Sequence, residues 1–196
     1  MTVRDVRKAD NDVDPMFINR WSPRAYTEAE IPDKVLLSIF EAARWAPSAR
    51  NIQPWRFVFA KRQSATFNRL LGVLSEKNQL WAPQASALIA LLSAKTFVLD
   101  GKQEPAHCHS FDAGAAWANL TLQANLLGWQ TRAMAAFDHE KASSILNLPK
   151  DYDIEVIIAI GKIGDKETLP AALKELEVPT SRLPLQDLVS EGTFGG

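Results

Sequence analysis

Two stretches constrain what this chain can fold into more than any other feature. Ser86–Ser93 (SALIALLS) and Ile154–Ile160 (IEVIIAI) are almost unbroken apolar runs of strand length. A strand that shows one face to water alternates polar with apolar residues, whereas a strand covered on both faces does not. The first run therefore belongs in the centre of a sheet, and the second is the clearest strand in the sequence. Other segments supply helices. Leu36, Ile39, Phe40 and Ala43 recur at helical spacing within Pro32–Ala46, and Pro47 ends that helix. Trp55–Ala60 suits a strand, and Gln63–Ser75 a weaker helix. Phe111–Leu127 is the longest helix, with Phe111, Ala115, Ala118, Leu122 and Leu126 predicted as its apolar stripe and Gly128 as its C-cap. Small residues at 113–116 permit close packing there. Asp138 is placed to cap a short helix running to Asn147. After Pro170 come a short helical stretch, Ser181-Arg182-Leu183-Pro184 and an extended end. By local pattern alone, this alternation suggests an α/β protein.

With 196 residues, the chain has the length of one domain. Residues 1–15 (MTVRDVRKADNDVDP) offer little to bury and read as a flexible arm, leaving 16–196 as the domain. The arm has no apolar core of a secretory leader, and the run Ala85–Ala94 is too short for a bilayer, so a cytoplasmic protein without a membrane partner is expected. Lys and Arg number 22 against 23 Asp and Glu, which argues against a general nucleic-acid binder. A single cysteine, Cys108, excludes an internal disulfide.

Two constellations can carry chemistry. In Arg20-Trp21-Ser22-Pro23-Arg24, Pro23 pushes Ser22 towards extended geometry, so Arg20, Ser22 and Arg24 are expected to share a face. Two guanidinium groups and a hydroxyl on one side suit an anion, because arginine offers a fixed donor fork to phosphate. The alternative is a solvated basic edge paired with Glu28 or Glu30. The second constellation is Ala46-Pro47-Ser48-Ala49-Arg50-Asn51-Ile52-Gln53-Pro54-Trp55. A proline-stopped helix leaves backbone N–H groups in the following loop to meet a ligand, and Asn51 and Gln53 carry both donors and acceptors. A plain helix-to-strand connection would look the same.

Together, RWSPRAY and EAARWAPSARNIQPWRF resemble the nitroreductase family of FMN-dependent oxidoreductases. That family typically opens with Arg-x-Ser-x-(Arg/Lys), then has a helix ending in Ala-Pro-Ser and an Asn-x-Gln-Pro-Trp run before a strand. Weaker similarity continues through Asn78, Ala94-Lys95-Thr96, the helix at 111–127, Ala133–Asp138 and Ser181–Pro184, and so spans residues 16–185. The resemblance implies an α+β fold, with a mainly antiparallel central sheet flanked by helices, in a homodimer holding FMN at the subunit interface. It implies that Arg20 and Arg182 bind the phosphate with Ser22 nearby, and that Arg24 reaches the flavin N1/O2 edge. Pro47, Ser48 and Ala49 would line the ring, and Asn51 and Gln53 would approach the partner's flavin. Asn78 would read the pyrimidine edge, and Met134, Ala135 and Ala136 would supply backbone near N5 and O4. The chemistry implied is ping-pong hydride transfer from NADH or NADPH through FMN to a small electron-poor acceptor such as a nitroaromatic or quinone. A flavin-binding sensor or carrier without turnover is the alternative.

The chain departs from the family pattern at four positions. Trp21, within the cofactor-binding segment, stands where members often have a second cation or histidine. Trp81 and Thr180 stand where some members carry lysine, and Ala136 replaces a frequent glycine. Trp81 reads equally as core or as a wall over the flavin. Trp45, Trp117 and Trp129 read as core or interface. His107-Cys108-His109 lacks a fourth metal ligand, and Gly161-Lys162-Ile163-Gly164 lacks the pattern of a dinucleotide loop.

Overall fold

The computed structural model describes residues 6–195; the first five residues of the predicted arm and the terminal Gly196 lie outside it. The helices are α1 (Pro15–Asn19), α2 (Asp33–Arg44), α3 (Ala65–Leu71), α4 (Glu76–Gln79), α5 (His109–Leu126), α6 (His139–Leu146) and α7 (Ala171–Lys174). The strands are β1 (Trp55–Lys61), β2 (Ala87–Ala94), β3 (Thr96–Leu99), β4 (Lys102–Pro105), β5 (Gln130–Met134) and β6 (Tyr152–Gly161). Four strands form the central sheet in the order β1-β2-β6-β5, and each neighbouring pair is antiparallel.

The antiparallel sheet replaces the α/β arrangement that helix–strand alternation suggests. Alternation does not fix strand direction; the return point of each excursion does. Residues 62–86 leave the sheet and come back at the same end, where the Arg62 N–H meets the Ser86 carbonyl at 3.0 Å. The next strand must then run the other way.

Every residue of β2 is buried, as its apolar run requires. Leu88, Ala90 and Leu92 enter one core with Phe67 and Leu70 of α3, Trp81 and Ile157. Ala87, Ile89 and Leu91 enter the other with Leu36 and Ile39 of α2 and Ala113, Ala116 and Leu120 of α5. This is the two-residue alternation of a strand used on both faces. Asp138 caps α6 as expected, its carboxylate accepting the Lys141 N–H at 3.0 Å, and Asn147 ends that helix in the left-handed region. Gly128 takes φ +75° just past α5. Asp100 and Gly101, both at positive φ, turn the β3–β4 hairpin, the Asp-Gly signal of a tight turn.

Helix α5 corrects the predicted stripe. Asp112, Ala113, Ala116, Leu120, Thr121 and Ala124 face inward, whereas Phe111 is 82% exposed and Ala118 and Leu126 are also exposed. The helix is apolar on nearly every side, so helical spacing alone selects no face. The alanine-rich side turns inward because it lets α5 lie close to α2 and the sheet.

The described part of the arm lies along the tail. Asp10 accepts the Leu185 N–H at 3.1 Å, and Arg7 donates to the carbonyls of Thr180 at 2.8 Å and Ile18 at 3.0 Å. Among the described residues, no helix is long and apolar enough to cross a membrane.

Candidate functional site

The Arg20–Tyr26 segment is held in place by two glycines. Tyr26 bridges to Ile163, and the Gly164 N–H donates to the Ala25 carbonyl at 2.9 Å. A Cβ on Gly161 would stand 2.7 Å from the Tyr26 ring, and one on Gly164 2.6 Å from its backbone. The Gly-Lys-Ile-Gly stretch is therefore a seat for another segment, not a ligand loop. Glu177, on the tail, accepts the Arg24 and Ala25 N–H groups at 2.6 and 2.8 Å and pairs with the Arg24 guanidinium at 3.5 Å.

Arg20, Ser22 and Arg24 consequently do not share one face. Arg20 Nη1 donates to Ser22 Oγ at 3.1 Å, while Arg24 turns to Glu177 and the Leu176 carbonyl. The carboxylate of Glu177 outweighs the alternation of an extended strand. Nor does the segment pair with Glu28, which instead meets Arg62 at 2.9 Å.

Arg20 and Ser22 open into a cleft of about 520 Å³, within the usual size range of ligand pockets. Its other walls are Phe17, Trp117, Ala118, Thr121 and Leu122, with Arg132 and Ala133 from β5. Arg132 donates to the Ser22 carbonyl and stands 5.8 Å over the ring of Trp81. Trp81 is 1% exposed and packs with Tyr26 in the core, so it forms no wall over a ligand. Trp129 is also core, whereas Trp45 is exposed and donates to Glu41 at 2.9 Å.

Positive charge accumulates on this wall, in Arg20 and Arg132, and just behind it, in Arg7 and Arg182. Burial, and then the neighbouring Arg182, push the Arg20 pKa down. Arg7 is lowered by burial, then by Arg182 and Arg20; Arg132 by burial, then by Arg24. Guanidinium groups that repel one another in a partly dry place are stabilised by a bound anion. Arg7 and Arg182 stand beside the cleft without lining it; they line a second cavity of about 610 Å³ between arm and tail, with Leu183, Leu185 and Leu188.

The loop after α2 is built differently. Arg50, Asn51 and Gln53 sit at φ +52°, +57° and +54°, a region that non-glycine residues seldom occupy. The loop is tied at three points. Ser48 Oγ accepts the Gln53 N–H at 3.0 Å, Gln53 Nε2 donates to the Asn51 carbonyl at 3.0 Å, and buried Asp112 of α5 accepts the Ala49 N–H at 3.1 Å. Pro47, Asn51 and Gln53 are exposed, with Ser48 and Ala49 half-buried. The loop is thus tied to the first turn of α5, whereas the residues of α5 that line the cleft are Trp117, Ala118, Thr121 and Leu122.

The remaining expected residues are distributed around these features. Trp21 and Asn78 are half-buried. Met134 ends β5 with its side chain in the core, and Ala135 and Ala136 follow it into solvent, the Ala136 carbonyl accepting the Ser75 N–H at 3.0 Å. His109 meets Ser93 Oγ at 2.7 Å beside Glu155, and so anchors the start of α5 to the sheet. Arg7, Arg132, Asp112 and Glu177 escape a reading of the sequence. None stands in a motif, and each acts on residues far away along the chain.

The family model described as the nitroreductase family matches residues 18–162, which include the Arg20–Arg24 segment, the strained loop, α5 and β5. The chain belongs to this family. Among its relatives, a protein named NADH dehydrogenase from Thermus thermophilus is 30% identical over 91% of this chain and 95% of its own length. A crystal structure of an oxidoreductase containing FMN superposes with a TM-score of 0.94 at 43% identity, covering 97% of this chain and 96% of the other. A nitroreductase family protein from Clostridium difficile, with a TM-score of 0.71 at 22% identity over 94% of this chain, shares the fold. The α+β, antiparallel, helix-flanked architecture is thus that of nitroreductases, and the chain is an oxidoreductase of this kind.

Proposed function

We propose that the cleft beside Arg20 and Ser22 binds FMN and that the protein uses it to oxidise NADH or NADPH and reduce a small electron-poor acceptor, such as a nitroaromatic or quinone. The carrying observation is the wall of arginines beside an apolar surface. Arg20, with the Arg7 guanidinium donating to its carbonyl and Arg182 close enough to depress its pKa, suits a phosphate ester, and Trp117, Leu122 and Ala133 suit a flat ring. The residues present therefore fit a flavin mononucleotide. When bound, FMN would supply the hydride chemistry between a reduced nicotinamide and the acceptor.

The protein's part is to bind, orient and exclude water. Arg20, Ser22 and Arg182 hold the phosphate, with Trp21 between the first two along the chain. Asn78 would read the pyrimidine edge, and the backbone of Met134, Ala135 and Ala136 would serve the reactive ring. The outward face of α5 forms the contact with a second copy. That contact brings Pro47, Ser48, Ala49, Asn51 and Gln53 of one subunit towards the flavin of the other. NADH as donor has support in the name of the Thermus relative, while NADPH is tested beside it.

The test is the visible spectrum of the protein titrated with FMN, then with NADH or NADPH in the absence of oxygen. Binding should perturb the flavin bands, and reduced nicotinamide should bleach them. Retained flavin that neither donor bleaches would favour a binding module without turnover. No binding of FMN would remove the assignment.

A further inference from the structure

We propose that Arg132, rather than Arg24, is the cation that meets the flavin ring in this cleft and stabilises the negative charge left on it by reduction. The inference rests on the FMN reading above and names the residue that tunes the cofactor.

Arg132 sits on β5, an edge strand of the sheet, and lines the cleft with Arg20 and Ser22. One of its Nη1 donors goes to the Ser22 carbonyl. Among the described residues, no carboxylate lies in ion-pair contact with it. A guanidinium has five N–H donors, so most of its fork remains for a ligand. The Trp81 ring backs it at 5.8 Å and is itself locked in the core, which fixes the direction in which the cation can face.

Arg24 is differently placed. Its guanidinium lies against Glu177 at 3.5 Å and donates to the Leu176 carbonyl at 3.1 Å, and it does not line the cleft. Glu177 neutralises it locally while also accepting two backbone N–H groups. A cation already paired with a buried carboxylate adds little field to a neighbouring ligand; an unpaired one in a partly dry wall adds much more. Arg24 therefore fixes the tail to the Arg20–Tyr26 segment, and Arg132 supplies the charge.

The deciding experiment compares R132Q, R132K and the double variant R24Q/E177Q with the parent protein by equilibrium reduction of bound FMN against a reference dye, with FMN affinity measured separately by fluorescence quenching. For R132Q, affinity for reduced FMN should fall at least tenfold more than affinity for the oxidised form. That ratio corresponds to a midpoint potential about 30 mV more negative for a two-electron couple. R132K, which keeps the charge, should recover most of the shift. The double variant R24Q/E177Q, which removes the ion pair without leaving a bare carboxylate beside Arg132, should leave the potential unchanged and lower thermal stability instead. An unchanged potential in R132Q, or a tenfold shift in the double variant with none in R132Q, overturns the proposal while leaving the flavin reading intact. If R132Q does not fold, the double variant still decides: an unchanged potential supports the assignment and a tenfold shift overturns it. A parent protein that binds no FMN overturns both.

Discussion

The two faces of α5 show the same helix serving two environments. Its inner face, from Asp112 to Ala124, is closed by α2 and the sheet within one chain. Its outer face carries Phe111, Ala118 and Leu126 into solvent, and beside them Trp117 and Leu122 reach the cleft. Both faces are apolar, so hydrophobicity does not tell them apart. Side-chain size does. Three of the six inward residues are alanine, whereas the aromatic residues Phe111 and Trp117 both lie on the side where the chain supplies no cover. The first face is a requirement of folding; the second is available for ligand and subunit contact.

That contrast can be broken from either side. Leu120→Ala, on the inner face, should cost about 2–5 kcal/mol of unfolding free energy, as core truncations do, measured by urea denaturation. A loss below 1 kcal/mol would mean that the inner face is not the packed one. Arg20→Ala, across the cleft from the outer face, should weaken FMN binding by about 1.5–3 kcal/mol, the scale of a hydrogen bond to a charged group, with stability retained. Unchanged affinity in a titration would detach Arg20 from the phosphate. Asp112→Ala leaves the Ala49 N–H without its acceptor and should cost about 1–3 kcal/mol in thermal or urea unfolding. Amide exchange in residues 48–53 should rise with it, and unaltered exchange would show that the loop holds itself. Phe111→Glu should change the stability of the single chain by less than about 0.5 kcal/mol, as surface substitutions do. If the proposed dimer forms through this face, sedimentation should nonetheless show it lost, and a dimer that survives would separate this face from the subunit contact.

How much of this was legible in the sequence depended on whether one segment carried its own signal. β2 and β6 were readable because a continuous apolar run admits few placements. The Asp138 cap and Gly128 were readable because local backbone chemistry decides them. The stripe of α5 was not, since two faces satisfy the same spacing. The Arg20–Ser22 pair followed from adjacency, but Arg24 did not join it because its partner, Glu177, lies 153 residues away. Arg7 and Arg132 are single arginines in unremarkable surroundings, and only the fold brings them to the arginine wall. The family resemblance recovered the architecture; it could not show that Trp81 is core or which cations face the cleft.

The strained loop has an implication for sequence change. Glycine would adopt the angles of Arg50, Asn51 and Gln53 without steric conflict, because it has no Cβ to meet the backbone. A chain selected only to make that turn would have reason to carry glycine at one of the three. It carries a guanidinium and two amides, so at these positions the side chain outranks the comfort of the backbone. Glycine at Arg50 or Asn51 is therefore expected to relax the backbone and to lose whatever those groups touch, whereas glycine at Gln53 also removes the bond from its side chain to the Asn51 carbonyl.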